Sequence, residues 1–277
     1  MPMRQGDSPL VLPRAQNRTK GLSPVLFSRG MITCKSQLTR QGPRMQAGSS
    51  TTQPTPTQIA VFDYDGTSVD GQSGSLFTTY LLRHGMMSLP RALRLGWWGI
   101  RYVLHLPFRQ DEARELVFGA LGEMTPDRIS EVMRKFHDDV LGKKYRQAAI
   151  AEVARRREEG CVTLLVSATF DIIADAAAEV LGVDAVLATH MERDERGHYT
   201  GRVAGTVVAG DQKYLAVAEW CDEKFGAGAW QLAYAYGDHH TDEDLLSRAR
   251  TAYAVCPGQS LKSAAKKRGW QILDWDD

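Results

Sequence analysis

The sequence predicts an α/β fold, a three-layer sandwich with a largely parallel central sheet. Short apolar runs alternate with amphipathic helical patterns along most of the chain, which is typical of strands linked by helices on the faces of a sheet. Several runs are apolar without interruption, as expected for strands buried on both faces. About 220 residues follow a polar N-terminal tail, enough for one α/β core with a second, smaller domain.

Predicted strands and helices alternate in chain order. Strands are predicted near residues 58–63, 161–167, 184–188, 231–236 and 251–255, with helices at 169–182, 211–225 and 259–268. Residues 188–205 are predicted to form a β-hairpin or a loop outside the sheet. The stretch from 73 to 141 has helical periodicity, and Thr125-Pro126 is a helix start within it.

Residues 1–57 form a basic, polar tail. They contain eight Lys or Arg against one acid, a net charge of +7, and end in a stretch rich in Ser, Thr and Pro. This composition cannot bury a core, so we predict a disordered and dispensable tail. The alternatives are an organellar transit peptide, or a gene start placed too early with Met31 or Met45 as the true start. Because no motif accompanies the charge, no nucleic-acid partner is expected.

Two aspartates follow the first apolar run. Asp63 comes directly after Ile59–Phe62, Asp65 follows two residues later, and a Gly-Thr turn comes next. Ligands of open α/β sheets bind at the carboxyl ends of the strands, so both acids lie where chemistry is expected. Carboxylates this close repel each other, which predicts either a divalent metal, with magnesium favoured by oxygen ligands, or a divided acid and base role. An Asx turn that ends the strand is an equally good explanation of this segment alone.

Three later segments supply further polar groups. Ser167 ends the second predicted strand, Lys213 lies in the first turn of a predicted helix, and Asp238 and Asp242 are four residues apart after another strand. The serine hydroxyl and the lysine are suited to an anionic oxygen, and the two acids to a metal. Each also has a structural explanation: a helix cap, a solvated lysine and acids at a helix start. Their order along the chain is not explained in this way.

Asp-x-Asp-Gly-Thr, a strand-final Ser, a Lys and Gly-Asp-x-x-x-Asp follow one another in the order of four known motifs. From about Ile59 to the C-terminus the chain resembles the haloacid dehalogenase-like (HAD) hydrolase superfamily. It is most similar to subfamily IB, the phosphoserine-phosphatase-like branch. The resemblance implies a Rossmann-like core with an inserted helical cap, and a phosphomonoester hydrolase.

The resemblance also implies catalytic roles. Asp63 would be the nucleophile that attacks phosphorus and becomes an aspartyl phosphate. Asp65 would protonate the leaving oxygen and then activate water. Ser167 and Lys213 would bind the phosphoryl oxygens. Halide-cleaving members lack the second aspartate, so its presence here favours phosphate ester hydrolysis.

A magnesium site is implied in the same way. Mg²⁺ would be held by the Asp63 carboxylate, the Asp65 main-chain carbonyl and Asp238. Asp242 would support the site. Intact motifs favour an enzyme over the alternative of a non-catalytic binding protein on the same fold.

Two departures from the family pattern concern the substrate. Phosphoserine phosphatases carry a glutamate where this chain has Gln72, and an amide cannot neutralise the ammonium of serine. We therefore expect a small phosphorylated metabolite other than phosphoserine. His239 follows Asp238 where serine is usual, and a side chain that faces solvent is the expected outcome.

The helical insert between the first two motifs is expected to select the substrate. We predict a cap at 73–158 and a core at 58–72 and 159–277. Within the cap, Leu93–Phe108 is apolar and aromatic but interrupted by arginines, too short and too charged to cross a membrane. Packing of its aromatics on neighbouring helices is favoured. The alternative is contact with a membrane surface, and with it a phospholipid headgroup substrate such as phosphatidylglycerophosphate.

Four cysteines lie far apart in the sequence and have no metal-ligand spacing. This usage is compatible with a reducing compartment, so a cytoplasmic location is expected. The oligomeric state is not predicted by any feature of the chain.

Overall fold

The computed structural model describes residues 55–276, apart from 105, 108, 110 and 123. The predicted disordered tail therefore lies almost entirely outside the described residues. The strands are β1 (Thr57–Asp63), β2 (Val162–Phe170), β3 (Ala185–Thr189), β4 (Met191–Arg193), β5 (Tyr199–Val203), β6 (Trp230–Gly237), β7 (Thr251–Val255) and β8 (Gln271–Leu273). The helices are α1 (Ser73–Arg83), α2 (Leu89–Val103), α3 (Glu112–Phe118), α4 (Pro126–Asp139), α5 (Gln147–Glu158), α6 (Asp171–Leu181), α7 (Asp211–Phe225), α8 (Glu243–Arg248) and α9 (Gln259–Arg268).

Six of the strands form one parallel sheet in the order β3-β2-β1-β6-β7-β8. The predicted α/β class is therefore confirmed, and each of the five predicted strands is present. The short strand β8 was not predicted, because its side chains are largely exposed and show no buried pattern. Strands β4 and β5 pair antiparallel apart from the sheet, where a hairpin or loop was expected.

Strand β1 lies in the middle of the sheet because its side chains are apolar on both faces. Ala60 and Phe62 contribute to the buried cluster on one face, and Ile59 and Val61 to the cluster on the other. All four side chains are completely buried. The strand therefore delivers Asp63 to the carboxyl edge of the sheet, between the ends of β2 and β6.

Helices α1 to α5 fill the segment between β1 and β2. The start of α4 is as predicted, with Pro126 in the first turn and Thr125 as the N-cap. Helix α3 packs on α2 and on β5, α4 packs on α6, and α5 packs on β2. The assignment of residues 73–158 to a separate cap domain stays a prediction.

One buried cation joins α5 to the face of the sheet. The Arg156 guanidinium lies 3.6 Å from the centre of the Tyr234 ring. It donates to the Tyr236 hydroxyl at 2.7 Å and the Tyr253 hydroxyl at 3.0 Å, and it pairs with Glu152 at 2.9 Å. The Arg156 side chain is only 3% exposed, so it is an interior structural group on a helix whose other arginines face water.

We expect Arg156→Met to lower the free energy of unfolding by about 3 kcal/mol, because it leaves two buried tyrosine hydroxyls without their donor and removes the buried partner of the Glu152 carboxylate. Arg155→Met is the matched control. Arg155 pairs with Glu152 and Glu159 too, but its side chain is 51% exposed, so a loss below about 1 kcal/mol is expected. Urea unfolding of both variants measures the difference. Equal losses of unfolding free energy in the two variants would show that burial of Arg156 adds nothing to stability.

Candidate active site

The predicted site residues Asp63, Lys213 and Asp242 meet at the carboxyl edge of the sheet. The Lys213 ammonium donates to Oδ1 of Asp63 at 2.6 Å and to Oδ1 of Asp242 at 2.5 Å. All three side chains are at most 6% exposed. Lys213 is in the first turn of α7, as the sequence predicts. It is not the solvated lysine that its residue type would suggest, because two carboxylates stabilise the buried charge.

Asp238 completes an acidic cluster around this lysine. Carboxylate oxygens of Asp63, Asp238 and Asp242 lie within 4.8 Å of one another. Asp242 is held by the 3-10 turn after β6, where its Oδ2 accepts the His239 N–H at 3.2 Å. The four-residue spacing of Asp238 and Asp242 thus brings both carboxylates to one place.

Two glycines make room for these acids. A Cβ atom at Gly66 would overlap the Asp238 carboxylate, and one at Gly237 would lie 2.7 Å from the Cβ of Asp242. Gly66 also has a φ of +79°, a conformation that is costly for any other residue. The turn after Asp65 is therefore shaped so that the backbone approaches Asp238 closely.

Asp65 has different partners from Asp63. Its Oδ1 accepts the Ser73 N–H at 2.6 Å and its Oδ2 accepts the Ser73 hydroxyl at 3.0 Å. The Ser73 hydroxyl also lies 2.7 Å from that of Thr169 at the end of β2. Arg114 on α3 is close enough to act on the charge of Asp65, and it donates to the Ala168 carbonyl at 2.8 Å.

Sequence reasoning missed several of these supporting groups. Thr67 donates to Oδ2 of Asp63 at 3.2 Å, and Ser68 donates to the Asp63 carbonyl at 2.6 Å. Both hydroxyls belong to the motif turn, so their nearness in sequence was an available signal. Ser73 and Arg114 gave no such signal, because their approach to Asp65 depends on how α1 and α3 fold back over the sheet.

The remaining predicted residues have clear positions. Ser167 is buried inside β2, one residue beyond the partner of Asp63, and its hydroxyl accepts the Thr169 N–H at 3.0 Å. It does not cap α6, because β2 continues to Phe170 and the helix begins after it. Gln72 is exposed at the start of α1. His239 was expected to face solvent but is half-buried, with its Nδ1 3.0 Å from the Thr241 hydroxyl.

Burial and mutual repulsion dominate the electrostatics of the acids. Burial raises the pKa of Asp63, Lys213 opposes this, and Asp242 and Asp238 add to it. Burial also raises the pKa of Asp65, against the hydrogen bonds from Ser73. Burial and the nearby Asp242 raise the pKa of Asp238 to about 7. Three acids share one buried lysine, so the cluster needs a further cation or protons to balance its charge.

The donor set fits a divalent cation of the hard type. Asp63, Asp238 and Asp242 supply carboxylate oxygens, the ligands that magnesium prefers, and nitrogen or sulfur ligands are absent from this cluster among the described residues. The close approach of Gly66 keeps the Asp238 carboxylate at the cluster. A second group, Cys256, Asp274 and Asp276, is also close enough for a metal, but it lies at the end of β7 and is largely exposed.

Fold and site together define an enzyme of the α/β class with a buried aspartate at the end of the central strand. The model of the family described as "haloacid dehalogenase-like hydrolase" matches residues 60–247, more than half of the chain. The chain belongs to this family, and the predicted membership and the prediction of a HAD-like phosphatase are confirmed.

Relatives and solved structures agree with this assignment. The chain is 22% identical over 218 residues to a histidinol-phosphatase of Neisseria meningitidis, covering 78% of this chain and 98% of that protein. It is 26% identical over 240 residues to the phosphoserine phosphatase SerB1 of Mycobacterium tuberculosis, covering 84% of this chain and 76% of that protein. A Bordetella pertussis protein of unknown function has a similar structure, with a TM-score of 0.74 and 28% identity. The match covers 80% of this chain and 100% of that protein. A phosphoserine phosphatase at 17% identity, TM-score 0.55 and coverage of 80% and 94% shares the fold.

Proposed function

We propose that this protein is a Mg²⁺-dependent phosphomonoesterase that acts on a small phosphorylated metabolite through an aspartyl phosphate on Asp63. The observation that carries the proposal is the buried group in which Lys213 joins Asp63 to Asp242 beside Asp238. A carboxylate held in this way is oriented, desolvated and next to a cation, which suits a nucleophile for an anionic phosphate ester.

The reaction divides into two displacements. An oxygen of Asp63 forms a bond to phosphorus while the bond from phosphorus to the ester oxygen breaks, and Asp65 gives its proton to that leaving oxygen. Asp65 then takes a proton from water, whose oxygen attacks phosphorus and releases Asp63 and inorganic phosphate. Two features suit Asp65 to this role: burial raises its pKa, and the two hydrogen bonds from Ser73 fix its orientation.

The other residues bind and neutralise charge. Lys213 and the Ser167 hydroxyl are proposed to contact the phosphoryl oxygens, with Lys213 also offsetting the charge on Asp63. Magnesium would be held by Asp63, the Asp65 carbonyl and Asp238, supported by Asp242. When bound, it supplies positive charge to the phosphoryl group and lowers the repulsion between the acids.

A small metabolite is proposed as the substrate because two relatives are named for such activities, histidinol-phosphatase and phosphoserine phosphatase. Phosphoserine itself is not favoured, since Gln72 provides no negative charge for an ammonium group.

The test is phosphate release from a panel of esters, with Mg²⁺ or with EDTA. The panel contains phosphoserine, histidinol phosphate, sugar phosphates, nucleotides and phosphatidylglycerophosphate. Brief reaction with a ³²P-labelled ester that is turned over should leave an acid-stable, hydroxylamine-labile label on the chain, as an acyl phosphate requires. Metal-dependent phosphate release together with that label supports the proposal. If phosphate is released fastest from phosphatidylglycerophosphate, the substrate is a phospholipid headgroup and not a small metabolite. A folded protein that releases phosphate from no ester would favour a non-catalytic binding role.

Magnesium is expected to stabilise the protein more at a pH of about 8 than at about 5.5. The pKa of Asp238 is about 7 when folded, above its ordinary value of 3.8. A carboxyl group whose pKa is higher in the folded state than in the unfolded state stabilises the metal-free fold. This stabilisation is complete below the pKa of the unfolded state and disappears as the pH rises through about 7. At high pH the ionised cluster binds the cation, and saturation should add about 2 kcal/mol.

Thermal unfolding with and without Mg²⁺ at the two pH values measures this difference. Asp238→Asn is the matched variant and should lose most of the metal effect. A metal-induced shift that is the same at both pH values would contradict binding by these carboxylates.

A further inference from the structure

Helix α2 presents a stripe of large apolar side chains to solvent. The stripe consists of Leu89, Leu93, Trp97, Ile100 and Leu104, each at least 49% exposed. The first four lie on α2, and Leu104 continues the turn with its N–H donating to the Ile100 carbonyl at 3.0 Å. At 3.6 residues per turn, the five side chains fall within an arc of about 80°. They therefore form one continuous apolar face.

This face differs from the rest of the described surface. Nine large hydrophobic side chains are exposed in the described residues, and seven of them lie between 82 and 106. Isolated exposed leucines are ordinary, but a contiguous apolar face on a single helix marks an interaction surface. The sequence favoured packing of these aromatics on neighbouring helices, and for Trp97, which is 57% exposed, this is wrong.

The opposite side of α2 holds the helix on the protein. Ala92 and Leu95 pack against the buried cluster, and the Trp98 indole donates to the Arg109 carbonyl at 2.9 Å. Helix α2 also packs on α3. The helix is therefore held on the protein by its inner side, and the stripe faces outward. A partner can contact the stripe without unfolding of the helix.

The segment that carries the stripe has charges of one sign. Residues 73–110 contain five arginines and no aspartate or glutamate. Arg101 pairs with Glu112, and Arg109 pairs with Asp111 and Glu115. Arg83, at the end of α1, and Arg94 on α2 are exposed and form no ion pair with any described residue. Arg94 lies about 60° from the edge of the stripe on the helix circumference. An apolar face with cations beside it is complementary to a surface that is apolar inside and anionic outside.

We propose that the α2 stripe docks this protein on a membrane surface that contains anionic lipids. Leu93, Trp97 and Ile100 would enter the headgroup and acyl boundary, and Arg83 and Arg94 would contact lipid phosphates. No helix in the described part of the chain has the length and hydropathy to cross a bilayer, so this contact lies at the interface. The proposal is independent of the identity of the phosphate ester.

Other occupants fit less well. A second copy would place another acid-free, arginine-containing segment against the first, and the N-terminal tail carries a charge of +7 over residues 1–57. Like charges oppose both contacts. The stripe is also a convex helix face, and a flat lipid interface accommodates this shape without a complementary groove.

The test is co-sedimentation of the full chain with vesicles of phosphatidylglycerol and phosphatidylcholine, compared with vesicles of phosphatidylcholine alone. We expect binding to the anionic vesicles that decreases with added salt. The double variant L93E/W97E should reduce binding by about tenfold or more. Leu215→Glu is the matched control, since Leu215 is 51% exposed on α7 and its replacement should leave binding unchanged. The variant R83Q/R94Q should weaken binding to anionic vesicles only.

Several outcomes would overturn the proposal. One is no binding by the wild-type chain, and another is equal binding to both kinds of vesicle. Unchanged binding of L93E/W97E would assign the contact to the basic tail. A wild-type oligomer that L93E/W97E converts to a monomer, without vesicle binding, would assign the stripe to a second copy. Circular dichroism of each variant confirms that it is folded, and none of these readouts uses phosphatase activity.

Discussion

Replacement of Asp63 by asparagine is expected to reduce phosphate release by at least about 10⁴-fold. An amide oxygen does not attack phosphorus, so no covalent intermediate forms and the label from a ³²P ester should disappear. The fold should persist, because the oxygen of the introduced amide can still accept from Lys213, which in the wild type donates to Asp63 at 2.6 Å. The variant also removes one of three acids that crowd a single lysine. We therefore expect an unfolding temperature in EDTA that is equal to or above that of the wild type.

Asp70→Asn is the control for this variant. Asp70 lies in the same loop after β1, but its side chain is 69% exposed. Its replacement should leave both activity and stability within the error of the measurement. Steady-state kinetics on the best ester of the panel, with circular dichroism and thermal unfolding, gives the comparison. Activity of Asp63→Asn within about tenfold of the wild type would remove Asp63 from the role of nucleophile.

Alanine at Gly66 is expected to reduce activity by about 10²-fold or more, although the residue has no chemistry of its own. The new Cβ would overlap the Asp238 carboxylate and displace it from the cluster. A displacement of about 1 Å at a catalytic constellation is enough for a loss of this size. The φ of +79° adds a cost in stability of about 1–2 kcal/mol for any residue with a Cβ.

Gly205→Ala separates these two effects. Gly205 has a φ of +76° and nothing within 4 Å of the position of a Cβ. Both variants should therefore lose similar stability in urea unfolding, while only Gly66→Ala loses activity and affinity for Mg²⁺. If the two variants keep the same activity, the close approach between Gly66 and Asp238 does not matter for function.

Sequence patterns were sufficient to predict five of the six strands of the sheet and the residues of the site that follow them. Strand β1 is recognisable because its apolar run and the two following acids are local features. Strand β2 was placed correctly but ends at Phe170, three residues beyond the predicted end at 167. The pairing of Lys213 with Asp63 spans 150 positions, and it was anticipated from the order of the motifs rather than from any local signal.

Other features depended on tertiary structure because burial is a property of neighbours. Arginine is rarely interior, so nothing in the sequence marked Arg156 as the buried partner of three tyrosine rings. Ser73 reaches Asp65 only because α1 begins where the loop turns back to the strand end. Whether Gln72 and His239 would be enclosed was likewise decided by packing, with Gln72 exposed and His239 half-buried.

For the stripe on α2, too, one part was predictable from the sequence and another depended on tertiary structure. Helical periodicity in the sequence is enough to predict an amphipathic helix at this place, with large apolar side chains on one side. Periodicity does not state which side another element will cover. In the folded chain the buried cluster contacts the side of α2 that contains Leu95, α3 packs on the same helix, and the side with Trp97 is left to solvent. The residues at the strand ends were thus predictable from the order of the motifs along the chain, whereas the surface that α2 offers to a partner was set by three-dimensional packing.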